Sequence, residues 1–148
     1  MKDQSTAPMV RYFDEISEGM SGEFSKTVTE QDVTTFAEVT GDKNPIHLDA
    51  DYAASSIFGQ RIAHGMLAAG YISAVFGYNF PGPGWIYVNQ TLQFKAPVFF
   101  GDTMTAVATA TKLIPKKQMI EFDTIVSVGD KVVVEGVNIR KKYIKDPK

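Results

Sequence analysis

Residues 63–77 read AHGMLAAGYISAVFG, and this stretch decides the fold. Its side chains predict a helix that is apolar on nearly all of its sides, which is typical of a buried helix. The small residues Ala68, Ala69 and Gly70 would let a sheet wrap closely against such a helix. We therefore expect one central helix, over about residues 63–77, packed against a sheet.

The part of the chain that follows this helix predicts strands. Residues 81–84, Pro-Gly-Pro-Gly, end the helical pattern. Apolar and polar side chains then alternate, with Gln90 as a polar exception, and Gly129-Asp130 predicts a hairpin turn. The predicted strands cover residues 86–96, 104–113, 120–128 and 132–143.

The part of the chain before the central helix carries signals for two further helices. Thr29 and Asp32 predict the cap of a helix that ends at Gly41. Asp49 predicts the cap of a short helix over residues 52–54. Helices followed by consecutive antiparallel strands indicate an α+β domain. A single sheet with one covered face leaves apolar surface to bury, so we expect a homodimer.

Length and composition indicate one folded domain. The chain has 148 residues, which is the length of an ordinary domain. We assign the domain to residues 9–144 and expect flexible termini over 1–8 and 145–148. Hydrophobic residues make up 44% of the chain and charged residues 22%, which excludes an intrinsically disordered protein.

Charge and cysteine content exclude several kinds of partner. Lys and Arg number 15 against 17 Asp and Glu, so no basic excess is available to hold nucleic acid. The chain has no cysteine, which excludes disulfides, thiolate metal sites and cysteine nucleophiles. The amino terminus shows no secretory signal, and no apolar run is long enough to cross a bilayer. We therefore expect a cytoplasmic protein with no membrane partner.

The first of two unusual local sequences contains Asp42 and His47. These residues are five positions apart across a turn that contains Pro45, close enough for both to face one small cavity. A carboxylate and an imidazole around one water are what a hydration or dehydration needs, because one group takes a proton while the other orients the water. Asp42 could equally bond backbone N–H groups, with His47 as a hydrogen-bonded loop residue. Spacing alone favours this structural interpretation.

The second unusual sequence is His64-Gly65, which stands where the central helix should begin. Unpaired N–H groups and the positive end of the helix dipole attract negative charge there, and a glycine lets a carbonyl oxygen approach closely. The pair therefore predicts an oxyanion site for an enolate. Taken alone, it fits a tightly packed turn as well.

Taken together, the two sequences resemble the MaoC-like family, which includes the (R)-specific enoyl-CoA hydratases. Residues 36–47 read FAEVTGDKNPIH and contain the Gly-Asp-x-Asn-Pro-x-His core of the hydratase signature. Residues 62–67, IAHGML, and 94–98, FKAPV, followed by Gly101-Asp102, also resemble that family. The resemblance spans most of the chain, without departure in the core motif. It implies the hotdog fold, a long helix wrapped by an antiparallel sheet, usually paired as a dimer.

The resemblance also implies a reaction and a role for several residues. In such hydratases the signature Asp and His, here Asp42 and His47, bind and activate the water. A helix-start glycine N–H, here that of Gly65, polarises the thioester carbonyl. The expected reaction is hydration of trans-2-enoyl-CoA to (R)-3-hydroxyacyl-CoA, and its reverse, on short to medium acyl chains. Which of Asp42 and His47 is the formal base is left open. Residues expected to bind substrate or to support the site are Asn44, His64, Ser73 and Arg61.

We expect no cofactor beyond the coenzyme A thioester itself. We also expect no metal, because two histidines without a ligand-spaced carboxylate cluster do not indicate one. Arg61 is the preferred candidate for meeting the phosphates of coenzyme A, and other basic residues are expected to be solvated surface. Aromatic residues after the helix are expected in the core or in a dimer contact rather than in an acyl tunnel. The other basic residues are Lys95, Arg140, Lys141 and Lys142. The aromatic residues are Phe76, Tyr78, Phe80 and Trp85.

Two other functions compete with hydration. An acyl-CoA thioesterase of the same fold would use the helix-start oxyanion site, but the Asp42 to His47 signature argues against it. A non-catalytic acyl-CoA-binding or structural subunit would be expected to carry a damaged signature, and here the signature is intact.

Overall fold

The computed structural model describes residues 11–145 and contains four α-helices and six strands in that range. The expected flexible terminus 1–8 lies outside the described residues, as does all of 145–148 except Lys145. The helices are α1 Glu30–Thr40, α2 Pro45–Leu48, α3 Ala50–Ala54 and α4 Gly65–Ala74. The strands are β1 Ser21–Thr27, β2 Trp85–Gln90, β3 Gln93–Phe94, β4 Thr103–Ile114, β5 Met119–Val128 and β6 Lys131–Lys142.

All six strands form one antiparallel sheet around α4. Their order is β1-β4-β5-β6-β2, and β3 also pairs with β6. Helix α4 lies against β1, β4, β5 and β6. This arrangement confirms the α+β prediction. No helix in the described part of the chain has the length and hydropathy needed to span a bilayer.

Helix α4 is held to the sheet by one of its sides. Ala68, Tyr71 and Ile72 are buried there, and a π turn over Val75–Asn79 extends the buried side. In that turn Phe76 meets Phe122 of β5 edge to face, with ring centroids 4.8 Å apart. Such a pair contributes about 0.5–1.5 kcal/mol beyond the area that it buries.

The opposite side of α4 is not covered by the sheet, which corrects the expectation of a helix buried all round. Met66 is 54% exposed, and Gly70 and Ser73 are also exposed. A Cβ added to Gly70 would meet no atom within 4 Å. The small residues on this side therefore keep a space open instead of admitting a sheet.

The caps predicted from the sequence are confirmed. Asp32 N–H donates to Thr29 Oγ1 at 3.1 Å, and Thr29 N–H donates to Asp32 Oδ2 at 3.0 Å. Helix α1 ends at Gly41, whose φ of +82° is costly for other residues. Tyr52 N–H donates to Asp49 Oδ1 at 3.0 Å at the start of α3. These local bonds fix the ends of the loop that carries the first unusual sequence.

Strand β1 was not expected from the sequence. Phe24 is its one large apolar residue, so its sequence shows no alternation of apolar and polar residues. In the structure, the burial of its residues also alternates only weakly. The strand is held by its pairing with β4, which includes a hydroxyl pair between Thr27 and Thr103 at 2.6 Å. A strand stabilised by its partner leaves little trace in its own sequence.

The strand predicted over residues 86–96 is broken into β2 and β3. At the break, Thr91 N–H donates to the Val137 carbonyl at 2.8 Å, and Val137 N–H donates to Thr91 Oγ1 at 2.9 Å. The Thr91 carbonyl therefore lies directly over Gly136, where an added Cβ would be 1.8 Å from the carbonyl oxygen. Gly136 is required by this close approach of two backbones.

Replacing Gly136 with alanine should lower the free energy of unfolding by about 1–3 kcal/mol, because the new Cβ overlaps a backbone carbonyl. The matched change Gly70→Ala adds a Cβ in open space and removes a helix-interior glycine, so it should raise the free energy by about 0.5–1 kcal/mol. Denaturant unfolding of both variants measures the difference. Similar values for the two would show that the Thr91 approach is not a constraint.

Candidate active site

The loop between α1 and α2 is shaped by its own side chains. Asn44 N–H donates to Asp42 Oδ1 at 3.3 Å, and Ile46 N–H donates to Asn44 Oδ1 at 3.1 Å. Asn44 thus caps α2, and Pro45 occupies its first position, where no N–H is needed. This short helix places His47 in its last turn, with 8% of the residue exposed.

One ring nitrogen of His47 forms a hydrogen bond to the main chain, and the other carries an available lone pair. Its Nδ1 lies 2.8 Å from the carbonyl oxygen of Ile62. A carbonyl only accepts hydrogen bonds, so Nδ1 carries the proton and the lone pair of the neutral ring is at Nε2. His47 is therefore oriented to accept a hydrogen bond, or a proton, at Nε2.

His64 lies directly against His47. The two rings stack with centroids 3.8 Å apart, and Phe36 contacts His64 with ring centroids 4.7 Å apart. His64 Nε2 donates to the main-chain carbonyl of Asp42 at 2.9 Å, while its Nδ1 is buried without a hydrogen-bond partner in the described residues. The structure thus gives His64 a positioning contact to both residues of the signature.

The environment of His47 favours its neutral form. Burial lowers the pKa of His47 below the 6.5 of an ordinary imidazole, and a positive charge on His64 would lower it further. The Ile62 carbonyl and the Asp42 carboxylate act in the opposite direction without reversing the shift. Because the pKa is lowered, the ring is unprotonated at neutral pH and its Nε2 lone pair is free.

Asp42, His47 and His64 also form a group of possible metal ligands, with one ligand atom of each within 4.8 Å of the others. A carboxylate and two imidazoles are a set that zinc accepts. The rings of His47 and His64 are stacked, with an interplanar angle of 28°. Sequence spacing missed the grouping because residue 64 is far from the loop in the chain, and the absence of a metal stays a prediction.

Gly65 is the first residue of α4, so its N–H has no partner within the helix and lies at the positive end of the helix dipole. A glycine was expected here to admit a carbonyl oxygen. In the structure the nearest group is the Phe94 ring, which would lie 2.8 Å from an added Cβ. The ring packs over the Gly65 backbone, and this contact is a second reason for the absence of a side chain.

Arg61 supports the loop. Its Nε donates to the main-chain carbonyl of His47 at 2.8 Å, its Nη1 forms an ion pair with Glu30 at 2.9 Å, and its guanidinium lies over the Phe100 ring. Of the two roles considered for Arg61, the supporting one matches these contacts. The Nε and Nη1 atoms are engaged within the protein, and no contact of Arg61 points to coenzyme A phosphates in particular.

Two cavities meet at Asp42 and Met66. The larger has a volume of about 570 Å³ and reaches from Gly65 to the segment 94–98. The smaller has a volume of about 480 Å³ and follows the open side of α4. Its further lining residues are Phe36, Thr40, Ala69, Gly70, Ser73, Tyr87, Gln90 and Leu92.

Of the residues that line the smaller cavity, sequence reasoning proposed only Asp42 and Ser73; the polar residues that it missed include Tyr87 and Gln90. For Gln90 a signal existed, since it is the polar residue that interrupts the alternation along β2. It donates to Thr124 Oγ1 at 3.1 Å and accepts from Asn138 Nδ2 at 3.0 Å, both within the buried sheet. Tyr87 gave no such signal.

The expectation that the basic residues of the last strand are solvated is wrong for two of them. Arg140 is 4% exposed and Lys142 is 8% exposed, because the buried face of β6 continues to its end. Burial lowers the pKa of Arg140, and Tyr87 opposes that shift. Arginine nevertheless stays charged at neutral pH.

The architecture is the hotdog fold that the resemblance implied. An (R)-hydratase structure from Aeromonas caviae, described as involved in PHA biosynthesis, matches it with a TM-score of 0.83 and 36% identity, over 86% of this chain and 98% of that chain. The chain belongs to the MaoC-like family, since the MaoC like domain matches residues 13–131.

Two curated relatives match over most of their own length. The chain is 52% identical to an (R)-specific enoyl-CoA hydratase of Rhodospirillum rubrum, over 86% of this chain and 89% of the relative. It is 45% identical to a 3-hydroxybutyryl-CoA dehydratase of Methylorubrum extorquens, over 93% and 90% respectively. The family predicted from the signature is thereby confirmed, while the roles of individual residues stay predictions.

Activity should depend on pH through His47. The neutral ring is the form with a free Nε2, so kcat/KM should fall on the acid side with a midpoint below 6.5, in the direction of the lowered pKa. The residual activity of a His47→Gln variant should lack this acid limb. A wild-type midpoint above 6.5, or the same limb in the variant, would remove His47 from the pH dependence.

The Gly65 N–H can be tested with two substitutions that differ only slightly in volume. Gly65→Ala and Gly65→Pro both add a Cβ against Phe94, but only proline deletes the N–H, and the first helical position tolerates proline. We expect kcat to fall about 10²–10³-fold further in the proline variant than in the alanine variant. Equal turnover by the two folded variants would exclude the N–H as an oxyanion donor.

Proposed function

We propose that the chain adds water to trans-2-enoyl-CoA to give (R)-3-hydroxyacyl-CoA, and catalyses the reverse dehydration, which makes it a hydro-lyase. The observation that carries this proposal is the pair formed by Asp42 and His47. A ligand atom of the carboxylate and one of the neutral imidazole lie within 4.8 Å of each other, and Asp42 lines both cavities. The (R) hand is supported by the (R)-specific hydratases among the relatives and by the family resemblance.

Each group has a role in the addition. A water held between Asp42 and His47 Nε2 gives a proton to one of them as its oxygen bonds to Cβ of the enoyl group. The electron pair of the double bond moves towards the thioester oxygen, where the Gly65 N–H and the helix dipole stabilise the negative charge. A proton then returns to Cα, so that H and OH have been added and the site regains its starting protonation state. Asp42 and His47 both remain candidates for the formal base.

The two cavities would hold the two parts of the substrate that lie on either side of its reacting atoms. Gly65 lines the larger cavity, which we assign to the thioester and the pantetheine arm. Ser73 lines the smaller one, which we assign to the acyl chain. Asp42 borders both cavities, so Cα and Cβ of a bound enoyl group would lie beside its carboxylate. Short to medium acyl chains fit a cavity of about 480 Å³.

We further propose that the chain works in the cytoplasm as a homodimer without a cofactor. Strand β2 is at the edge of the sheet, with Ile86 and Val88 54% and 50% exposed, and an apolar edge strand is a surface that another chain covers.

The lack of cysteine suits a reducing compartment. Light scattering should give twice the chain mass, and dialysis against EDTA should leave turnover unchanged. A monomer or a metal requirement would contradict this.

Incubation with crotonyl-CoA should cause loss of the conjugated enoyl absorbance, and only an (R)-specific 3-hydroxyacyl-CoA dehydrogenase should accept the product. Asp42→Asn and His47→Ala should each lower kcat by about 10²–10⁴-fold with folding retained, because each removes a group that handles the proton. The matched change Asp130→Asn removes an exposed hairpin carboxylate and should have no effect.

Other outcomes of this assay separate the competing functions. Release of free thiol without hydration would indicate a thioesterase. A thermal shift with enoyl-CoA but no turnover would indicate a non-catalytic binding subunit. Near-wild-type turnover by either Asp42→Asn or His47→Ala would remove that residue from the mechanism.

A further inference from the structure

The buried face of β6 carries a charge that the proposed mechanism does not use. Arg140 is 4% exposed, and no carboxylate pairs with it among residues 11–145. Its Nε and Nη2 are buried without hydrogen-bond partners in the same range. Burying a charge in this way is unfavourable unless other groups compensate it.

Aromatic faces supply that compensation. The Arg140 guanidinium carbon lies 3.6 Å from the ring centroid of Tyr87 and 4.2 Å from that of Phe76. Tyr87 is the residue opposite Arg140 in the pairing of β2 with β6, and Phe76 comes from the turn that extends α4. The two rings are 6.1 Å apart and inclined at 63°, so the guanidinium is wedged between them. We name these three side chains the arginine stack.

The arginine stack adjoins the cavity assigned to the acyl chain. Tyr87 itself lines that cavity, and Phe76 follows Ser73, another lining residue, by about one helical turn. Asp42 and Met66, at the other end, lie beside the start of α4. The cavity therefore begins at the reacting atoms and runs along α4 towards the stack.

We propose that Arg140 is a specificity-determining residue, which holds Tyr87 in place as the end of the acyl cavity and makes the enzyme prefer short acyl chains to medium ones. This inference rests on the proposed function. A longer chain would have to displace Tyr87, which would remove one of the two aromatic faces that compensate the buried charge. It would also bring methylene groups against N–H donors that have no partner. A wholly apolar end wall could yield to a longer chain without either penalty.

The test compares kcat/KM for crotonyl-CoA and trans-2-octenoyl-CoA in the wild type and in Arg140→Met, which keeps an unbranched side chain but removes the charge. The wild type should prefer crotonyl-CoA, and the preference should fall about tenfold in Arg140→Met. The matched control Lys112→Met removes an exposed cation from β4 and should keep the wild-type ratio. Thermal unfolding of each variant shows whether it is folded.

A second variant keeps the test decisive if Arg140→Met does not fold. Tyr87→Leu removes the wall itself and should shift the preference towards octenoyl-CoA in the same direction. An unchanged ratio in folded Arg140→Met, or in Tyr87→Leu if the first variant is unfolded, would overturn the role of the stack. So would a wild type that uses both substrates equally. If the wild type turns over neither substrate, the proposed function fails as well, whereas an unchanged ratio with crotonyl-CoA turnover refutes only the role of Arg140.

Discussion

The structure depends on the different roles of the two sides of α4, one packed against the sheet and the other lining a cavity. One side is packed into the sheet through Tyr71, Ile72 and their neighbours, which fixes the helix against four strands. The other side carries Gly70 and Ser73, whose small size leaves room for a ligand. The start of the same helix presents Gly65 beside the signature loop. A single rigid element thus fixes the proposed oxyanion site and the cavity relative to each other, as a preorganised site requires.

The signature loop gains its precision from bonds to main-chain carbonyls. His47 donates to one carbonyl, at Ile62, and receives support at its own carbonyl from Arg61. His64 donates to the carbonyl of Asp42 and stacks on His47. These bonds tie the α1–α2 loop to the segment that precedes α4. Because carbonyls only accept, they also determine which nitrogen of each histidine carries the proton.

Burial has different consequences for the protonation of His47 and of Arg140. His47 responds to burial by a lowered pKa, which makes it neutral and therefore useful as an acceptor. Arg140 cannot lose its proton at neutral pH, so its charge is compensated by the faces of Phe76 and Tyr87 instead. The proposed acid–base role of His47 and the proposed closure of the acyl cavity by the arginine stack thus both follow from desolvation.

The sequence by itself determined the features that depend on neighbouring residues. The Thr29 cap, the Gly41 end of α1 and the hairpin at Gly129 are local, because their hydrogen bonds join residues a few positions apart. The signature motif likewise identified the family from contiguous residues.

Only the tertiary structure decided the features that depend on distant partners. Strand β1 exists because β4 pairs with it, and the break between β2 and β3 exists because Thr91 crosses Gly136. The open side of α4, the stacking of His64 on His47 and the burial of Arg140 are equally non-local. Each of these features is set by the space and the contact partners that distant segments supply. The residues next to a side chain in the sequence do not predict that space or those partners.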